Sequence, residues 1–447
     1  MNRPLVRRVT VAAAAVIALL VLAGAIFTAT FDVNRYKPQI VAAVKERTGR
    51  TLTFDGDLSL SLFPRIAVML PATTLSEPGR DTVFARLQSA QASVALVPLL
   101  RRQFEVAGVR IDGLQATIVK QKDGRTNLDD LLQPQKPAVA PGQGGPAAPA
   151  GAATVGTVHL ENADLTWRDL AAGRTVRLND LDLRAGRYAR GARMPVEASA
   201  AISANEPTIA ARATFRAAIE WSEQGGLSAV RDLALKLDGT LKQQVVAIDA
   251  RADRLIAGTD TLDVRGLKVS VNAKGEGGAP VELQLTAPRL EASPSRAAGE
   301  RIELAVARRG TEPADAKVLI EGVGGTAARL EATTVKIAGS TRSAQRSTRF
   351  DVTTALVANV NDRTLRFDRA SGEVVVDDPA FGPKPVRLPL TASGNVDGRR
   401  ETVALQFEAR GDGLSARGKL NTTGFAAPRI AFDVDADQVD ADRYFLS

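Results

Sequence analysis

One histidine, no cysteine and many scattered carboxylates define the chemistry open to this chain. Without cysteine there is no disulfide, no thiolate nucleophile and no thiolate-bound metal. A Ser-His-Asp arrangement needs a histidine, so any such proposal rests on His159 alone. His159 sits in VGTVHLENADLTW, an alternating, strand-like stretch. A lone imidazole there reads as an ordinary surface or half-buried side chain. A zinc site built from several histidines is excluded. Asp and Glu are abundant, yet no spacing among them singles out a paired acid and base. The expectation is a protein that is not an enzyme, with no catalytic residue, cofactor or metal.

The formal charge is +8, with Arg and Asp interspersed along the chain. That pattern reads as a solvated surface with a mild preference for anionic lipid headgroups. Nucleic-acid binding wants a clustered basic stripe with stacking aromatics. Aromatics are 4% and no such stripe is visible, so no nucleic-acid partner is expected. The scarcity of Trp and Tyr also argues against an outer-membrane barrel.

The elements that place these residues begin with an anchor. Residues 9–30, VTVAAAAVIALLVLAGAIFTAT, carry no charge. Roughly 22 residues at about 1.5 Å rise span ~33 Å, enough to cross a bilayer core. Arg3, Arg7 and Arg8 precede the run, which keeps residues 1–8 cytoplasmic and puts the body on the far side. A cleaved signal peptide is the rival reading, with Ala23-Gly24-Ala25 as its cleavage site. Both readings export the body.

Residues 34–49 predict a short amphipathic helix, with Asn34 as N-cap, Pro38 in the first turn and Gly49 as terminator. Tyr36, Ile40, Val41 and Val44 form its apolar stripe, set either on the sheet or on a membrane surface. The period then becomes two. Leu58, Leu60 and Leu62 alternate with serines, and Ile66, Val68 and Leu70 continue after Pro64. Strand patterns fill the rest of 31–132, residues 133–153 are a Pro/Ala/Gly/Gln linker, and 154–447 return to alternating strands. The D-G-L and N-D-L-D-L echoes read as repeated hairpin turns.

The fold class expected is mainly β, one long curled antiparallel sheet after a transmembrane helix. With few helices to cover it, the apolar face must pack on a second sheet or remain a groove for something apolar. Both solutions stay open on pattern alone. In the groove reading, Leu58, Leu60, Leu62, Ile66, Val68 and Leu70 line the membrane-proximal mouth, and membrane phospholipid or lipopolysaccharide is the ligand.

FDVNRYKPQIVAAVKERTGRTLTFDGDLSLSL, residues 31–62, resembles the opening of the AsmA family of Gram-negative envelope proteins. Phe31, Asp32, Asn34, Tyr36, Lys37, Pro38, Thr48, Gly49, Arg50, Gly56 and Leu58 carry the likeness. VPLLRRQFEVAGVRIDGLQATIVKQKDGRTNLDDL is similar to a second family segment, with Leu128 where Trp is usual and Val119 where Leu is usual. The resemblance implies an inner-membrane helix, a periplasmic body with a chorein-like N-terminal module, and a β-groove in outer-membrane biogenesis. Envelope protein partners, as for a scaffold or assembly factor, are the alternative. It implies no catalytic residue. Family members usually continue beyond a D-x-D-x-D-R-Y motif into a further domain, whereas VDADQVDADRYFLS ends at Ser447.

Overall fold

The computed structural model describes residues 32–61, 66–94, 106–132, 156–258, 260–275, 277–381, 384–411, 414–425 and 427–439. The anchor expected at 9–30, the linker at 133–153 and Leu62 lie outside these residues. No helix among the described residues is long and apolar enough to cross a membrane.

The described residues open with a 3₁₀ turn, Val33–Tyr36, and helix α1, Lys37–Thr48. Gly49 ends α1 in the left-handed region at φ 68°, where a residue without Cβ is unstrained. Asn34 is not the helix cap. Asp32 accepts the Asn34 N–H, and the Asn34 amide is used elsewhere. Nor does the apolar stripe sink into the sheet: Tyr36 and Ile40 are exposed, Val41 and Val44 half-buried.

Among the described residues twenty-six strands follow, in two compact units. The first unit comprises residues 1–212 and 221–226, the second 213–220 and 227–447. In the first, β1 (Leu52–Phe54), β2 (Ser59–Ser61), β3 (Ile66–Leu70), β4 (Thr73–Ser76), β5 (Val83–Leu87), β6 (Ser89–Val94), β7 (Val106–Asp112) and β8 (Gln115–Lys120) precede a short helix α2 (Asp129–Leu132). Then come β9 (Thr157–Asp169), β10 (Arg174–Ala185) and β11 (Arg193–Ala204). Strand β9 runs parallel to both β7 and β8, so residues on either side of 133–153 belong to one sheet. The division between compact units falls near residue 213 and not in the Pro/Ala-rich segment. Parallel neighbours need a long connection, and residues 121–156 separate β8 from β9 in the sequence.

After β12 (Ile209–Trp221), the second unit is an antiparallel meander. Its strands are β13 (Leu227–Leu241), β14 (Gln244–Ala257), β15 (Leu262–Lys274), β16 (Val281–Ala292), β17 (Ala297–Gly299), β18 (Ile302–Arg308) and β19 (Ala314–Gly325). They continue with β20 (Arg329–Arg342), β21 (Ser347–Asn359), β22 (Thr364–Asp377), β23 (Val386–Asp397), β24 (Thr402–Gly411), β25 (Leu414–Thr423) and β26 (Arg429–Val439).

The D-G-L echo at 412–414 does join a hairpin, β24 to β25, but the N-D-L-D-L echo and its relatives do not. Asn162, Asp180, Asp232, Gly266 and Gly322 all have φ between 50° and 65° and lie inside β9, β10, β13, β15 and β19. A left-handed residue inserted in a strand makes a bulge that shifts the alternation by one. In β10 the apolar side chains are Val176 and Leu178 before Asp180, then Leu181 and Leu183 after it. The bulge keeps them on one face, although their numbers change from even to odd.

Candidate apolar binding face

Around Arg50 the structure builds its most enclosed charge, and that cluster holds the first strands in place. The side chain is 0% exposed. Nε and Nη2 donate to the two carboxylate oxygens of Asp130, each at 2.7 Å. Nη1 donates to Ser76 O at 3.2 Å, Nη2 also donates to Asn127 O, and the guanidinium lies 4.2 Å from the Phe84 ring centre. The Arg50 hydrogen bond holds the Asp130 carboxyl below its ordinary range. Asn127 ties the loop down further, donating to Glu77 Oε1 at 2.7 Å and accepting from Val119 N at 2.9 Å. Asn34 does the same for the next strand: Leu58 N–H donates to Asn34 Oδ1 at 2.9 Å, and Asn34 Nδ2 donates to Leu58 O at 3.3 Å.

Leu58 itself is 4% exposed. Leu60, Ile66, Val68 and Leu70 are half-buried, and Leu60 stands opposite Val68. The register extends this pair across the first unit. Val68 faces Ala92, then Val109, Val158, Ala185 and Val196. Beside it Leu70 faces Ala90, Ile111, Leu160, Leu183 and Ala198. Met69 begins the row on the other face, which runs through Gln91, Arg110, His159, Arg184 and Glu197. The single histidine is thus one member of a polar row, between two arginines.

The second unit repeats the division on a larger scale. One row passes through Leu235, Ala250, Val269, Leu285, Leu304, Val318, Ile337, Val352, Gly372, Leu390, Ala409, Ala416 and Ala436. It crosses thirteen strands without a polar side chain. The adjacent row on the opposite face includes Arg251, Lys268, Glu303, Lys336, Thr353, Ser371, Thr391, Glu408, Arg417 and Asp435. Twelve strand spacings of ~4.8 Å make the apolar row about 58 Å along the sheet, several times the ~15 Å depth of one bilayer leaflet's hydrocarbon.

Exposure separates a single layer from a sandwich. Leu235, Leu285, Leu304, Val318, Ile337, Val352 and Leu390 are all half-buried. A second sheet at ~10 Å would enclose them. Among the described residues, the larger side chains that are fully enclosed are Arg50 and Val335, the latter two positions before Ile337 in β20. At β26 the face is most open: Ile430, Phe432 and Val434 are 61%, 75% and 47% exposed.

Three glycines on this face lie under a phenylalanine of the adjacent strand. Gly339 faces Phe350, Gly394 faces Phe367 and Gly418 faces Phe407. A Cβ on these glycines would meet the ring Cζ at 2.6, 2.9 and 2.6 Å. At Gly372 a Cβ would stand 2.0 Å from the Asp351 carbonyl oxygen, so backbone itself excludes it. Sequence reading did not find Arg50 or these pairs as contacts. The T-G-R and N-L-D-D-L strings were the available signal for the first; the second needs the register.

Fold and site together define a largely antiparallel β protein whose strands carry one apolar and one charged face. Residues 4–276 match the AsmA family, and the chain belongs to it. It is similar to Protein AsmA of Escherichia coli (strain K12), 26% identical over 102 residues, which is 23% of this chain and 16% of that one. The match therefore spans well under two thirds of that relative. No solved structure matches the chain.

Proposed function

We propose that this is an inner-membrane-anchored periplasmic protein that carries lipid along its apolar β face in outer-membrane biogenesis. The observation that carries the reading is the thirteen-strand apolar row whose larger side chains stay half-exposed. Acyl chains laid on that face leave water, at about 0.8 kcal/mol per buried CH₂, while headgroups remain solvated. Capture by burial needs no catalytic group. The glycines at 339, 372, 394 and 418, where strands or rings approach too closely for a Cβ, support a sheet curled about the face. The uncharged run at 9–30 supplies the single-pass anchor, and family membership supports the envelope location.

The test is photocrosslinking in cells from Leu60, Val68, Leu285, Val318 and Ile337, with Lys268 and Lys336 as controls. Lipid adducts from the first set alone are expected; equal yields from both sets would rule the groove out. A scaffold role is favoured by one observation, the exposed apolar residues of β26. Adducts to protein from Phe432, with none to lipid from Val318, would select it.

A further inference from the structure

On the charged face of the second unit, four arginines stand directly opposite one another on consecutive strands. Arg231 of β13 faces Arg254 of β14, Arg254 faces Arg265 of β15, and Arg265 faces Arg289 of β16. Directly opposed residues of an antiparallel sheet have Cβ atoms about 5 Å apart, and like charges so placed repel. Three of the four are compensated. Arg231 binds Glu220, Arg265 lies 3.4 Å from Asp263, and Arg289 lies 3.1 Å from Glu291. The Arg254 side chain, between two cations, has no hydrogen-bond or ion-pair partner among the described residues.

The burial of its Nε sharpens the anomaly. Arg254 Nε and Arg289 Nε are shielded from solvent and have no acceptor. A buried N–H without a partner is costly, and natural structures rarely leave one unless an ion or water serves it. The neighbouring carboxylates do not serve it. Asp253 lies against Gly266, where an added Cβ would touch its Oδ2, and Asp249 is bidentate on Arg251. Guanidinium forks held side by side match the oxygens of a phosphate group.

We propose that the Arg231–Arg254–Arg265–Arg289 ladder binds a phosphate-type oxyanion centred on Arg254. The ladder lies on the face opposite the apolar rows. It therefore stands apart from the lipid reading, and either can fail without the other.

The test uses the full chain, Arg254→Gln, and Arg410→Gln as a control on an exposed side chain of β24. Each is titrated with inorganic pyrophosphate and sedimented with phosphatidylglycerol or phosphatidylcholine vesicles, in physiological chloride. The proposal expects Arg254→Gln to weaken anion binding about tenfold or more, and Arg410→Gln less than about twofold. Loss confined to phosphatidylglycerol vesicles identifies a lipid headgroup as the source; loss confined to pyrophosphate identifies a soluble phosphate; both losses support an oxyanion site open to either. In anion-free buffer, Arg254→Gln is expected to melt no lower than the parent, because it removes an unpaired cation. Equal binding of every probe by the parent and Arg254→Gln overturns the proposal, as does a lower melting point with binding intact.

Discussion

Arg50 and Asp130, eighty positions apart, form a two-point ion pair at 2.7 Å with the arginine fully enclosed and the aspartate 28% exposed. That difference in exposure predicts an asymmetry. Asp130→Ala strands a buried cation and is expected to cost about 3–5 kcal/mol. Arg50→Met keeps apolar bulk against Phe84 and leaves a carboxylate that water reaches, so about 2 kcal/mol is expected. Hydrogen exchange of β1, β4 and β8 reads this locally, without assuming that both units unfold together. Equal protection in the two variants would contradict the burial argument.

The same pair gives the first unit an acid limit. Its hydrogen bond to Arg50 lowers the Asp130 carboxyl in the folded state. The unfolded chain therefore takes up the proton first as pH falls. The stabilisation is fully present above the unfolded value of about 3.9 and is lost as pH drops through the lower folded value. Lys120 acts likewise on Asp169, at the end of β9. The expected result is a fall in β8 and β9 protection below about pH 4, shallower in Asp130→Asn, whose amide does not titrate there. An identical acid profile in that variant would assign the limit to other groups.

Mid-strand bulges make a separate prediction about backbone. Gly322 sits at φ 65°, and a Cβ there would lie 2.0 Å from Thr333 Oγ1. Gly322→Val adds a β-branched side chain to a left-handed position and is expected to cost about 2–3 kcal/mol. Asp180 already occupies that region, at φ 50°, so Asp180→Gly is expected to change stability by less than about 1 kcal/mol. Urea midpoints compare the two; a larger loss at Asp180 would mean that its side chain, not its backbone, holds β10.

These bulges also mark how far the fold was legible. Alternation in Ser59–Ser61, in Ile66–Leu70 and in VELQLTAPRLEA needs only a period of two, and strands formed there. Asp and Gly punctuation was ambiguous, because the same residues serve turns and left-handed bulges; Lys122-Asp123-Gly124 is a turn, while Asp180 is not. Asn34 before a helix looks like a cap, yet its amide clamps Leu58, a contact set by sheet position. Basic residues scattered in sequence gave no stripe, but register stacks Arg231, Arg254, Arg265 and Arg289 into one. Pairing between distant strands is tertiary information that local pattern does not contain.

Whether the apolar face is open also has a thermodynamic signature. In a closed sandwich, Leu304→Lys or Val318→Lys would bury an unpaired ammonium at a cost of several kcal/mol. On a half-exposed single layer, the lysine stem lies along the neighbouring apolar side chains and the charge reaches water, so only about 1 kcal/mol is expected. Ile337 and Leu285 flank these sites in the same row and provide that apolar surface. Function should respond differently from stability. Two charged heads in one row interrupt the path for an acyl chain, so lipid adducts from Val352, farther along the row, are expected to fall sharply in the double variant. The same pair of lysines at Thr353 and Ser371, on the charged face, should leave both melting point and adduct yield unchanged. Unfolding of the Leu304/Val318 variant would restore the sandwich. A folded variant with undiminished adducts would leave the face open but remove transport along it.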